Sequence, residues 1–156
     1  CFFFTSSTAF LLGFAAAVAE STSDTWAGEI GRLSKNPPLS LKDFRPVEKG
    51  MSGGVSILGT LCGFAGSIFI AVIWSMFFKL SGFVIVVFCG FAGCLLDSVL
   101  GAFCQALYID PVSGKYSEKP CGELVRGLKW LDNDAVNLIC NLFSCLLAVT
   151  AGSLKI

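Results

Sequence analysis

VSILGTLCGFAGSIFIAVIWSMFF, residues 55–78, contains no charged side chain. An apolar run of that length exceeds the roughly 20 residues that cross about 30 Å of hydrocarbon as a helix. Three other runs approach or exceed it: Phe2 to Ala19, Phe83 to Leu107 and Ala135 to Leu154. Composition agrees. Of 156 residues 54% are hydrophobic and 14% charged, and the mean hydropathy is +0.77, outside the range of soluble domains. The predicted fold is all-α, a multi-pass transmembrane helical bundle with about four spans in a single integral membrane domain over 1–156. Its expected environment is the lipid bilayer.

A formal net charge of zero and the lack of any basic tail exclude nucleic acid as an expected partner. The sequence does not set an oligomeric state. Cys1 falls inside an apolar run, so the expectation is a carboxy-terminal piece of a longer protein. A rival reading makes the first run a signal peptide cut after Ala17-Val18-Ala19; the lack of a basic segment ahead of the run argues against it. Seven of the eight cysteines (Cys1, Cys62, Cys89, Cys94, Cys104, Cys140, Cys145) sit in apolar runs, and Cys121 sits in a loop. With no histidine and no C-x-x-C pair, they read as reduced packing residues rather than zinc ligands.

Four spans leave a long polar loop at 20–54, a tight hairpin around Lys79 to Gly82, and a second long loop at 108–134. The long loops therefore share one side. Arg32, Lys35, Lys42, Arg45 and Lys49 lie in the first, and Lys115, Lys119, Arg126 and Lys129 in the second, against Lys79 and Lys155 opposite. The positive-inside rule places both long loops in the cytosol.

Helical wheels give each span one small, polar face. Glu20 and Asp24 share a stripe with Gly13, Ala16, Ala17, Ala27, Gly28 and Gly31, and Asp97 shares one with Gly90, Gly93, Cys94, Gly101 and Cys104. Gly59 and Gly63 read as a ridge for close helix approach in lipid. A carboxylate within a span costs about 2.5–3.5 kcal/mol on insertion scales, which points to a function for Asp97. In Asp132-Asn133-Asp134 one residue is expected to cap the last helix. Asp134, Asn137 and Asn141 carry a polar stripe inward from it, and function and structure weigh equally there. Glu29 falls about 140° from Asp24 on an unbroken wheel, so the two share a ligand only if the helix bends near Gly28 or separate groups are bound.

Asn36-Pro37-Pro38 ends any helix in the first loop. Lys42, Arg45 and Lys49 then alternate with acids before Gly50-Met51-Ser52-Gly53-Gly54 leads into the second span. A glycine-rich turn at a helix amino terminus suits phosphate, because backbone N–H groups and the helix dipole favour an anion; it also serves as a flexible lead-in. Cations for phosphate and acids for Mg²⁺ in one loop are the two functions that phosphoryl transfer needs.

At these residues the chain resembles the transmembrane protein 19 family, also called domain of unknown function 92. The likeness rests on Asp24-Thr25-Trp26-Ala27-Gly28-Glu29-Ile30-Gly31, on Lys49-Gly50-Met51-Ser52-Gly53-Gly54-Val55, on Leu96 to Ala102 with Gln105, and on Leu131 to Leu138. The motifs come in the family's order over nearly the whole chain, which resembles the family's carboxy-terminal half. Departures are Gly28 for a frequent Ser, Met51 for a frequent Thr, and a variable loop from Tyr108 to Trp130.

That family includes a plant phytyl-phosphate kinase, and the Asp24 to Gly31 pattern is also similar to the acidic motif of phytol and dolichol kinases. The resemblance implies an enzyme that transfers a nucleotide γ-phosphate, from CTP or ATP, to a membrane isoprenoid monophosphate. It implies Asp24 and Asp97 as catalytic residues, and Asp24, Glu29, Asp97 and Asp134 as ligands of Mg²⁺. Lys42, Arg45, Lys49, Ser52, Gly53 and Gly54 would hold phosphates, with Glu20, Asn137 and Asn141 in support. Two alternatives stand beside it. One is a transporter or ion pathway relaying protons or cations through Glu20, Asp24, Asp97 and Asp134; clustering of the acids toward one side argues against that. The other is a structural membrane protein without catalysis.

Overall fold

The computed structural model describes residues 2–78, 80 and 82–154, with side chains from residue 8 onward. Cys1, Lys79 and Lys155 lie outside the described residues. Four helices carry the fold: α1 Phe2–Gly31, α2 Ile57–Phe78, α3 Phe83–Phe103 and α4 Asn133–Leu154. Among the described residues α2, α3 and α4 are long and apolar enough to cross a membrane. The expected run from Phe2 to Ala19 occupies the first part of α1, whose 30 residues make a rod about 45 Å long.

α1 does not stop at the end of its apolar run. It continues through Glu20, Asp24 and Glu29 without a bend at Gly28 large enough to break the helix, so much of the segment assigned to the first loop is helical. Its end is built from short-range bonds, Leu33 N–H to Ile30 O at 2.9 Å and Ser34 N–H to Gly31 O at 3.0 Å, ahead of the Pro37-Pro38 pair that forbids continuation. α3 ends at Phe103, with Cys104 N–H bonded to Leu100 O at 2.8 Å, so the expected span to Leu107 is too long by four residues. Asp132 is the cap of α4: its Oδ1 accepts from Ala135 N–H at 2.9 Å.

α1 packs against all three other helices, and α3 packs against both α2 and α4. Small residues make this possible. A Cβ built on Gly59 would lie 2.8 Å from Ala27 O, one on Gly63 3.2 Å from Ser23 O, and one on Gly66 3.1 Å from Ser23 Cα. Backbones that close gain dispersion contacts where lipid offers no hydrophobic gain. Within that seam the buried Ser23 and Ser67 hydroxyls hydrogen-bond each other. Leu12, Ala16, Trp74, Val86 and Ala148 are among the side chains of the shared apolar core. Phe14, Phe69, Phe88 and Leu146 face outward, the apolar exterior expected of a bundle in lipid.

The loops hold short strands that the hydrophobic pattern did not predict. β1 (Leu39–Ser40) pairs antiparallel with β2 (Gly54–Val55). β3 (Leu107–Ile109), β4 (Tyr116–Ser117) and β5 (Glu123–Arg126) form an antiparallel sheet in the order β4-β3-β5. Two to four residues per strand leave no room for period-two alternation to register. Both sheets lie in the two long loops, which meet at one end of the bundle, where the Ser52 N–H donates to Glu118 Oε1 at 2.7 Å.

Candidate functional site

At that end the carboxy-terminal turns of α1, the turn before α2, the first turn of α2 and the later half of α3 enclose a cavity of about 320 Å³. Asp24 and Glu29 reach it from α1, and Asp97 from α3. Arg32 and Lys49 bring positive charge to the same wall. The helix places Asp24, Gly28 and Gly31 on successive turns of one face, and Gly28 would meet nothing within 4 Å if it carried a Cβ, so the cavity opens beside it. Glu29 sits at the rim, exposed, in an ion pair with Arg32 at 3.4 Å.

Lys49 donates to Ser34 O at 2.6 Å, which holds its ammonium at the carboxy-terminal end of α1, where the helix dipole favours a cation. Gly50 and Gly53 adopt φ of 87° and 78°, conformations that favour glycine. Gly53 is pressed onto α3: a Cβ there would collide with the Ala102 backbone. Ser52, Gly53 and Gly54 line the cavity, but two of their amides are already engaged, Ser52 N–H with Glu118 and Gly54 N–H with Met51 O at 3.1 Å. Ser56 caps α2 through Gly59 N–H at 3.0 Å. The turn therefore shapes the cavity more than it offers free N–H groups.

The other sequence-predicted residues lie elsewhere. Lys42 and Arg45 are exposed off the cavity wall, Arg45 3.9 Å from Asp43. Asp134 is exposed, and Asn133 rather than Asp134 faces the cavity. Asn137 does not line it, and Asn141 turns away to accept from the Ser21 hydroxyl at 3.0 Å. The polar stripe of α4 is thus split by the helix it packs against. Glu20 is 1% exposed and lies behind the cavity rather than in it.

Several residues at the site are given no role by the sequence alone, although Gln105 belongs to one of the motifs that carry the resemblance. Arg32 was one cation among nine in the loops. Glu118, from the variable loop, meets Ser52, and Gln105 donates to the Ser52 hydroxyl at 3.0 Å. Arg126 donates to Gly101 O at 2.9 Å; burial lowers the pKa of its guanidinium, and the nearby Glu118 carboxylate opposes that shift.

A second hollow, about 480 Å³, runs along the outer side of α1. Phe14, Ala17, Val18 and Trp26 make it apolar, and Ser21 with Asn141 give it a polar floor. Thr25 lines both this groove and the charged cavity. A polar chamber and a lipid-facing groove therefore share one wall.

The family profile described as integral membrane protein DUF92 matches residues 1–145. Protein PGR of Arabidopsis thaliana is 31% identical over 93% of this chain and 56% of its own length. An uncharacterized membrane protein of Methanocaldococcus jannaschii is 38% identical over 59% of this chain and 39% of its own length. Protein VTE6, chloroplastic, of Arabidopsis thaliana is 28% identical over 83% of this chain and 34% of its own length. The matched regions thus span between about a third and just over half of these relatives. No solved structure matches. With the profile covering nearly all of its length, the chain belongs to the integral membrane protein family DUF92.

Proposed function

We propose that this protein transfers the γ-phosphate of a nucleoside triphosphate to the monophosphate of a membrane isoprenoid, at the face of the bilayer where its two long loops meet. The observation that carries this reading is the wall shared at Thr25 between a cavity holding Asp24, Asp97, Arg32 and Lys49 and a groove holding Phe14, Val18 and Trp26. An amphiphile with a phosphate head and an apolar tail matches that pair of environments. The resemblance to plant phytyl-phosphate kinase and the likeness to VTE6 support the same substrate class.

Asp24 and Asp97 would hold Mg²⁺ from the cavity wall that both line. The ion, when bound, neutralises charge on phosphate oxygens. Arg32 and Lys49 would hold the transferring and leaving phosphates, and the surrounding apolar helices strengthen each of these attractions. The acceptor, already an anion, needs no general base. Glu29 at the rim would orient Arg32.

The test is incorporation of label from CTP or ATP into prenyl diphosphate by the full-length protein in lipid with Mg²⁺. Asp24→Asn and Asp97→Asn are expected to cut kcat/KM by roughly 10²-fold or more, the scale of losing a charge stabiliser from a buried site. Absence of diphosphate from the wild type, or unchanged yield in both variants, overturns the reading. Ion flux through proteoliposomes abolished by Asp97→Asn would favour transport in its place.

A further inference from the structure

Behind the cavity, Glu20 of α1, Asp97 of α3 and Cys140 of α4 each offer a ligand atom within 4.8 Å of the others. Glu20 is 1% exposed and Cys140 0%. Neither Glu20 oxygen nor Asp97 Oδ2 has a hydrogen-bond partner, and both ion pairs among the described residues lie in the first loop and its approach. Two carboxylates in the middle of a bundle without a counter-charge are too costly to leave bare.

A separate group points into the same space. Ser144 is 0% exposed, and its Oγ is also unpartnered. A Cβ built on Gly93 would collide with Ser144 Oγ and lie 2.5 Å from Glu20 Cγ. The bare Gly93 backbone thus lets a hydroxyl from α4 and a carboxylate from α1 approach one point. The Cys140 thiol meets the Asp97 carboxylate across α3 and α4, while both Glu20 oxygens, Asp97 Oδ2 and Ser144 Oγ are buried with lone pairs and no hydrogen-bond partner.

We propose that Glu20, Asp97, Cys140 and Ser144 form a buried site for one divalent cation of borderline softness, with Zn²⁺ as the best match. Ligand atoms held at about 2.0–2.3 Å from one ion lie no more than roughly 4.6 Å apart, close to the spacing here. Two carboxylates supply charge, and the sulfur selects against Mg²⁺ and Ca²⁺, which take oxygen alone. The ion joins α1, α3 and α4, and Asp97 stands between it and the cavity. This assignment does not depend on phosphoryl transfer.

The experiment uses the full-length protein in detergent or nanodiscs, stripped with chelator, equilibrated with Zn²⁺, desalted and measured by elemental analysis and thermal unfolding. The wild type is expected to retain one equivalent of Zn²⁺ that Mg²⁺ does not displace, and to gain in Tm. Glu20→Gln and Cys140→Ser are expected to weaken Zn²⁺ binding by roughly tenfold or more, as loss of a ligand costs at least what loss of a supporting group does. Asp24→Asn should retain the ion. Should Glu20→Gln fail to fold, Ser144→Ala and the Zn²⁺-dependent Tm of the wild type give the same reading. A wild type that retains no Zn²⁺, as when Glu20 and Asp97 share a proton, overturns the proposal, and so does undiminished binding by both ligand variants. Metal content is read without any kinase assay, so either proposal can fail alone.

Discussion

At the scale of single residues, the structure separates cations that a charge count makes equal. Lys49 faces the cavity, held by Ser34 O, while Lys42 and Arg45 stand in solvent. Lys49→Ala is therefore expected to raise the KM for nucleotide several-fold, and Lys42→Ala and Arg45→Ala to leave it within about twofold, since exposed charges interact weakly through water. Steady-state kinetics with saturating acceptor measures the contrast. Thr25, the wall between cavity and groove, gives an opposite signature. Thr25→Trp is expected to raise the KM for prenyl phosphate and spare that for nucleotide, and equal increases in both would dissociate the groove from the acceptor.

Helices and strands set the tolerances of the frame. A Cβ on Gly63 would lie 3.2 Å from both Ser23 O and Ala27 Cβ, so Gly63→Leu must drive α1 and α2 apart. Overpacking of this kind costs about 1–3 kcal/mol, to be read as a lower unfolding midpoint in detergent, whereas Gly28→Ala should change little because open space lies beside it. The helices were legible in the sequence because 20-residue apolar runs admit one solution in lipid. The ridge of Gly59 and Gly63 was legible too, from spacing alone. The sheets were not, since a strand such as Tyr116–Ser117 is fixed by its partner Tyr108–Ile109 and not by its own pattern. Of the residues that line the cavity, Asp97 stood out in the sequence by the cost of an acid within a span, and Asp24 by the resemblance to the family. Arg32, Glu118 and Ser144 depend on contacts far apart in the chain, such as Ser52 with Glu118, which no local periodicity encodes.

For the molecule as a whole, the alternation of α1 to α4 puts both long loops at one end, and Ser52 ties them through Glu118 and Gln105. A hydrogen bond to a charged group contributes about 1.5–3 kcal/mol, so Glu118→Ala is expected to loosen this end and speed protease cleavage within 108–134. The excess of Arg and Lys in the same loops predicts that they face the cytosol. Cys121, partly exposed and free, is a native reporter: an impermeant thiol reagent should label it only from the cytosolic face, and labelling from the opposite face would reverse the orientation.

Within the helices, the three buried or half-buried acids come from α1 and α3, and α2 between them contributes none. That distribution bears on how the chain is made. A span carrying Glu20 or Asp97 alone meets the insertion cost of a lipid-exposed carboxylate of about 2.5–3.5 kcal/mol, and the α3 face that shelters Glu20 from lipid emerges from the ribosome only after α2 is complete. α1 is thus expected to wait in a sheltered place beside the insertion machinery until α3 arrives, and the helices to enter lipid as a group rather than one at a time.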